Sequence, residues 1–188
     1  MPFSHSGQIS AIVSEVESLN PDSILDVGVG MGQYGFLLRT NLENINLFTI
    51  NGAVARRAPR EAWRVRIEGV EGFPEYLTPV HDYAYNKIHI GNALDVLPTL
   101  PEASFDLVIA IDILEHFTKE DGLRFLHMLK RVSRKHVLVS TPKDFIHQEV
   151  EANPLEDHLS VWSCDDLTQA GFDRVVPNEV SWINIHTR

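Results

Sequence analysis

Apolar positions change their spacing several times along the chain, and each change marks an element. Between residues 4 and 19, Ile9, Ile12, Val13, Val16 and Leu19 recur at close to helical intervals until Asn20-Pro21 stops them. This predicts a helix covering one edge of a sheet. Residues 23–27 (SILDV) form a short apolar run, as a strand buried on both faces does, and 33–42 return to a helical pattern. Residues 64–71 alternate and end in an acid, predicting a second strand, while 74–85, rich in aromatics and proline, predict a short helix and a loop. A third strand is expected at 87–90, a short helix at 93–97, and a central strand at 106–111, where nearly every residue is apolar. Over 119–132, Leu123, Phe125, Leu126, Met128 and Leu129 fall on a helical repeat with charges opposite them. Strands at 136–140, 174–176 and 182–186 and a helix at 164–170 complete the pattern. Strands alternating with helices predict an α/β fold with a mainly parallel sheet and right-handed crossovers.

Two stretches interrupt that rhythm. Residues 44–63 delay the second strand well beyond the usual spacing, and contain an apolar patch (LFTI, 47–50) followed by the turn signal Asn51-Gly52. They read as an insertion within one domain spanning 1–188, because no Pro-, Gly- or Ser-rich tract flanks them. Residues 142–162 form a long polar loop after the fifth strand, of a length that suits a substrate lid.

Composition narrows the partners. Against 26 acidic residues stand 16 basic ones, for a net charge of −10, which disfavours nucleic acid or an anionic membrane as partner. Arg56, Arg57, Arg60, Arg64 and Arg66 are interleaved with apolar and acidic residues and read as a solvated face. The single Cys164 allows neither an internal disulfide nor a cysteine metal cluster, which fits a reducing cytoplasm. No apolar run approaches the ~18 residues of a membrane span and no export signal opens the chain, so a soluble cytoplasmic protein is expected.

The chemistry centres on residues 24–36, ILDVGVGMGQYGF, where Gly28, Gly30, Gly32 and Gly35 separate a strand from a helix. Glycine permits φ > 0 and close backbone approach to a ligand. This stretch resembles the first motif of the class I S-adenosylmethionine-dependent methyltransferases, whose acid two residues before a G-x-G-x-G turn falls on Asp26, Gly28, Gly30 and Gly32. Later stretches resemble the same family in order: RVRIEGVEGF (64–73), HIGNALD (89–95) and FDLVIAIDILEHF (105–117). The resemblance implies a Rossmann-like, seven-stranded, mainly parallel sheet with helices on both faces and a late antiparallel strand. It also implies S-adenosylmethionine as cofactor and transfer of its methyl group to an acceptor; the net acidity favours a small molecule or a protein in that place.

Carried onto this chain, the resemblance assigns roles. The glycine turn would offer amides to the methionine carboxylate, and Asp26 would pair, directly or through water, with the amino group. Glu71, ending the second strand, can accept two hydrogen bonds from a ribose diol, whereas Glu68 points to the other side of the strand. Asn92 and Ala93 stand where relatives carry an acid and a small residue beside the adenine. Asp112 would help hold the amino group, and His116 could serve as a general base or simply pack. Within 142–162, His147, Asn153 and His158 are substrate-side candidates. A metal site from His147, Glu151 and His158 matches no helical ligand pair, so no metal is expected.

Two other functions compete. Gly30, Gly32 and Gly35 satisfy the G-x-G-x-x-G of an NAD-dependent oxidoreductase, but Glu71 lies 36 residues beyond Gly35, against the ~20 typical of dinucleotide binders. A non-catalytic cofactor-binding protein would keep the turn and lose the substrate loop.

Overall fold

The computed structural model describes residues 4–144 and 147–188. Its elements are α1 (Ser6–Leu19), β1 (Ser23–Val27), α2 (Gln33–Glu43), β2 (Phe48–Asn51), β3 (Val54–Arg57), β4 (Arg66–Glu71), α3 (Pro79–Ala84) and β5 (Lys87–Ile90). They continue with α4 (Ala93–Val96), β6 (Phe105–Ile111), α5 (Lys119–Val132), β7 (Ser133–Pro142), α6 (Cys164–Gln169), β8 (Arg174–Val176) and β9 (Ser181–Thr187). Among the described residues one seven-stranded sheet runs in the order β5-β4-β1-β6-β7-β9-β8. The first five pair in parallel, and β9 is antiparallel to both β7 and β8. This is the Rossmann-like sheet with a late antiparallel strand.

The apolar runs follow from burial on both faces. Successive β1 residues point to opposite sides: Leu25 and Val27 join the core with Leu97, Phe125 and Leu129 under α4 and α5, while Ile24 joins Ile12, Val16 and Leu38 under α1 and α2. In β6 a register shift between Phe105 and Leu107 puts Phe105, Val108 and Ala110 on the α5 face and Leu107, Ile109 and Ile111 on the other.

Two expectations change, and the stretch read as an insertion takes a definite form. α1 lies over a sheet face rather than an edge. β7 begins at Ser133, directly after α5, three residues ahead of the expected start; Lys135 Nζ holds this polar stretch to the buried Asp106 at 3.2 Å, and Arg134 pairs with the same carboxylate. Within 44–63, β2 and β3 form a separate antiparallel hairpin, exposed throughout, with Gly52 at φ +60° in its two-residue turn. The hairpin is tied at its base, where Ala58 N donates to Leu47 O at 2.8 Å and both residues are buried.

Strand order reverses beside β1, so the carboxyl ends of β4, β1 and β6 open a crevice there.

Candidate active site

The turn after β1 is built from left-handed glycines, with φ of +82° at Gly28, +51° at Gly30 and +80° at Gly32. A Cβ on Gly28 would stand 2.8 Å from Ile113 Cδ1, so no side chain fits there without moving Ile113. The turn's amides are mostly used inside the protein. Gly28 N and Val29 N donate to Val70 O at 2.9 and 3.2 Å, and Gly30 N to Glu71 Oε2 at 2.9 Å. They do not stand ready for a carboxylate, as the sequence had suggested. The turn brings backbone close to the crevice, while amide donors belong to the first turn of α2, where Gln33 and Tyr34 line the cavity.

Asp26 also departs from expectation. It is 2 % exposed and accepts a 2.6 Å hydrogen bond from the Tyr85 hydroxyl, which in turn accepts from Gly35 N at 3.1 Å. Burial pushes its carboxyl up to about 7, against the Tyr85 bond, and the Glu71 charge adds to the rise. Neither Asp26 nor Gly32 lines the cavity; Gly32 packs against the His81 ring, whose Nε2 lies 3.0 Å from Gly30 O. Gly35 is glycine for a reason unrelated to a dinucleotide, since its Cβ would sit 2.0 Å from Tyr85 Cζ.

In front of this turn lies a cavity of about 770 Å³, within the usual range for a cofactor-sized ligand. Gly28 and Gly30, the apolar side chains of Val29, Leu94 and Ile113, and Glu71, Asn92 and Ala93 wall one end. Glu71 is held by two backbone donors, Gly30 N on Oε2 and Phe73 N on Oε1 at 2.8 Å, and burial raises its pKa. Glu68 pairs with His89 at 2.7 Å on the opposite side of β4. Asn92 is narrower in its options than its chemistry allowed: its Oδ1 accepts from Leu94 N at 2.9 Å to cap α4, which leaves the amide nitrogen for a ligand.

The other end is the corner after β6. Asp112, at φ +50°, accepts from Ser140 Oγ at 3.0 Å and from Gln8 Nε2, and burial raises its pKa. Gln8 was missed in the sequence, although it extends the buried Ile12 and Val16 stripe of α1 at four-residue spacing. Glu115 is 4 % exposed; Thr141 Oγ1 donates to its Oε2 at 3.1 Å, and burial first, then the Asp112 charge, pushes it up to about 8. His116 and His158 line the cavity with ring centroids 5.0 Å apart, and burial lowers the His116 pKa.

The loop expected as a lid is hydrogen-bonded to the corner after β6 over its described part and walls the cavity there. Leu159 N and Ser160 N donate to Glu115 O at 2.8 and 3.1 Å, His158 N to Gln148 O at 3.0 Å, and Ser160 Oγ to Phe117 O at 2.7 Å. Asn153 lines the cavity but braces the loop, donating to Tyr76 OH at 3.1 Å and accepting from Leu155 N. His147 lies away from the cavity, 74 % exposed beside Glu149, so it joins neither the cavity nor a ligand set with His158. The ligand cluster that does form combines Glu115, His116 and His158, a grouping invisible in spacing because two of the three ride on one corner and the third on a distant loop. Phe145 and Ile146 lie outside the described residues.

A sheet of this order with a glycine turn and an acid at the ends of β1 and β4 defines a nucleotide-cofactor protein of the methyltransferase type. The family model described as "Methyltransferase domain" matches residues 25–141, and the chain belongs to that family, the S-adenosylmethionine-dependent methyltransferases. Solved structures agree in fold. A SAM-dependent methyltransferase from Archaeoglobus fulgidus is similar at a TM-score of 0.60 and 11% identity, over 95% of this chain and 94% of that one. Magnesium protoporphyrin IX methyltransferase from Synechocystis PCC 6803, with bound SAH, is similar at 0.59 and 14%, over 96% and 82%. The N-terminal domain of EvdMO1 with SAH bound is similar at 0.63 and 18%, over 98% and 82%. A search of curated protein sequences gave no match. The cofactor is S-adenosylmethionine. Among the described residues no helix is long and apolar enough to cross a membrane.

Proposed function

We propose that residues 1–188 act as one catalytic domain that binds S-adenosylmethionine along the β1, β4 and β6 ends and methylates a small-molecule acceptor seated against the 147–160 loop. The observation that carries the cofactor placement is Glu71, a carboxylate fixed by two backbone amides on the cavity wall, its remaining lone pairs suited to a ribose diol. Asn92 Nδ2, Ala93, Val29 and Leu94 suit the adenine. The first turn of α2 suits the methionine carboxylate, and Asp112, already holding two donors, suits the ammonium. Methyl transfer from a sulfonium asks mainly for alignment at near-attack distance in a dry pocket, so the machinery is chiefly positional.

The net charge of −10 supports a small acceptor over nucleic acid, and the lone Cys164 supports a reducing cytoplasm. Calorimetric titration with S-adenosylmethionine and, separately, NAD tests the placement on wild type and Glu71→Ala. S-adenosylmethionine binds and NAD does not, and the variant loses roughly 1.5–3 kcal/mol of affinity. Equal affinity in both proteins would remove Glu71 from the ribose site.

A further inference from the structure

Glu115, His116 and His158 each bring one ligand atom to within 4.8 Å of the others, on the wall of the cavity just described. Alignment of cofactor and acceptor makes no use of such a grouping. Each member is held in place by something other than the group. Glu115 is a buried carboxylate, braced by Thr141 and by the loop amides on its own carbonyl; a carboxylate out of water is stabilised by a cation. His116 has its Nδ1 3.1 Å from Asp157 O. A carbonyl only accepts, so the ring proton is assigned to Nδ1 and the lone pair is left on Nε2. Histidine ligands of metals are commonly oriented by such a bond from the non-ligating nitrogen. His158 is delivered by a loop segment whose backbone is bonded to both Gln148 and Glu115 on either side of it.

We propose that Glu115, His116 and His158 bind one divalent cation of the zinc, cobalt or manganese type, whose open coordination positions receive a hydroxyl oxygen of the acceptor. One carboxylate with two imidazoles suits borderline divalent metals, and a three-ligand set leaves room for substrate. Bonds of ~2.0–2.2 Å bring ligand atoms to roughly 3–3.5 Å from one another, a contraction that side-chain rotation supplies. The inference rests on the methyl-transfer reading of the same cavity and deepens it by naming a hydroxyl acceptor. Coordination lowers the pKa of that hydroxyl, and its proton leaves to solvent. The oxygen then bonds to the methyl carbon as the carbon–sulfur bond breaks, its electron pair remaining on sulfur to give neutral S-adenosylhomocysteine. Coordination through Nε2 uses the lone pair a general base would need, so His116 takes one role or the other.

Untagged, chelator-treated protein spanning residues 1–188 is titrated with Co²⁺, followed by its visible absorption, and with Zn²⁺ and Mn²⁺ by calorimetry. One equivalent binds, and His158→Ala and Glu115→Gln lower the affinity by ~100-fold or more, beyond what loss of a supporting residue costs. His127→Ala, an exposed histidine on α5, leaves it unchanged. Thermal melting by circular dichroism checks the variants, with His158→Ala, from a loop, retaining the wild-type fold. Absence of stoichiometric binding in wild type overturns the site, as does unaltered binding in His158→Ala or equal loss in His127→Ala. S-adenosylmethionine titrated into the same samples separates the two readings. Cofactor binding without metal binding removes the metal alone, and failure of S-adenosylmethionine to bind wild type removes the cofactor placement.

Discussion

Asp26 has its carboxylate buried at the end of β1, with its proton equilibrium set by burial more than by the Tyr85 hydroxyl. In the unfolded chain it ionises near 3.8 and in the folded protein near 7. Between those values the folded state holds a proton that the unfolded state has lost, so its contribution to stability falls as pH rises across the window and is constant above it. Asp26→Asn keeps an acceptor for Tyr85 and removes the titration. The stability of the variant minus that of wild type, from urea melts between pH 4 and 8, is expected to rise by up to roughly 4 kcal/mol through pH 7 and then level off. A flat difference would mean that the carboxyl keeps its ordinary pKa. At this scale the sequence distinguished Glu71 from Glu68 because strand residues three apart face opposite ways. It could not reveal Tyr85 as the neighbour of Asp26, nor Gln8 as that of Asp112, because each contact joins separate parts of the chain, the partners standing 59 and 104 positions apart.

At the scale of elements, α2 carries two features that its own residues do not announce. One is Arg39, fully buried, donating to Ala84 O, Val65 O, Glu43 and Asn86 and stacked 4.0 Å from the Trp63 ring, so that α2, the residues leading into β4 and the end of α3 are tied at one point. An arginine in a sequence reads as surface, and its burial depends on acceptors supplied by other elements. The other is Gly35. Glycine inside a helix ordinarily costs about 1 kcal/mol relative to alanine, so Gly35→Ala on propensity alone would stabilise. Here the new methyl meets the Tyr85 ring, and we expect Gly35→Ala to destabilise by roughly 1–3 kcal/mol, the usual cost of overpacking. Pairing it with Tyr85→Leu recovers part of the loss. Chemical denaturation of the two single variants and the double variant measures the coupling, and additive effects would show that helix and ring do not meet. The elements themselves were legible because both faces of the sheet are covered, which makes its central strands continuous apolar runs. The start of β7 was not, since 133–135 is polar and held by ion pairs to Asp106.

Across the whole molecule, every group assigned to cofactor or acceptor lies at the carboxyl ends of parallel strands or on the loop crossing them, while the β2–β3 hairpin stands apart. Its eight strand residues are exposed, and beyond its base it offers the Arg57 guanidinium 4.9 Å from the Tyr83 ring, a contact worth about 0.5–1 kcal/mol at an exposed site. The hairpin ends are already joined by the Ala58–Leu47 hydrogen bond, so replacing residues 48–57 with a short Gly-Ser link asks for no rearrangement of the sheet. The shortened protein is expected to melt within about 4 °C of wild type, as follows from a loss of ~1 kcal/mol in a chain of this size, and to bind S-adenosylmethionine within about twofold. Differential scanning fluorimetry and calorimetry measure both. Collapse of the melting transition would make the hairpin part of the core-forming unit, against its exposure. A stable protein that no longer binds cofactor would instead mean that the base of the hairpin sets the position of α2 and, through it, the amides expected to face the methionine carboxylate.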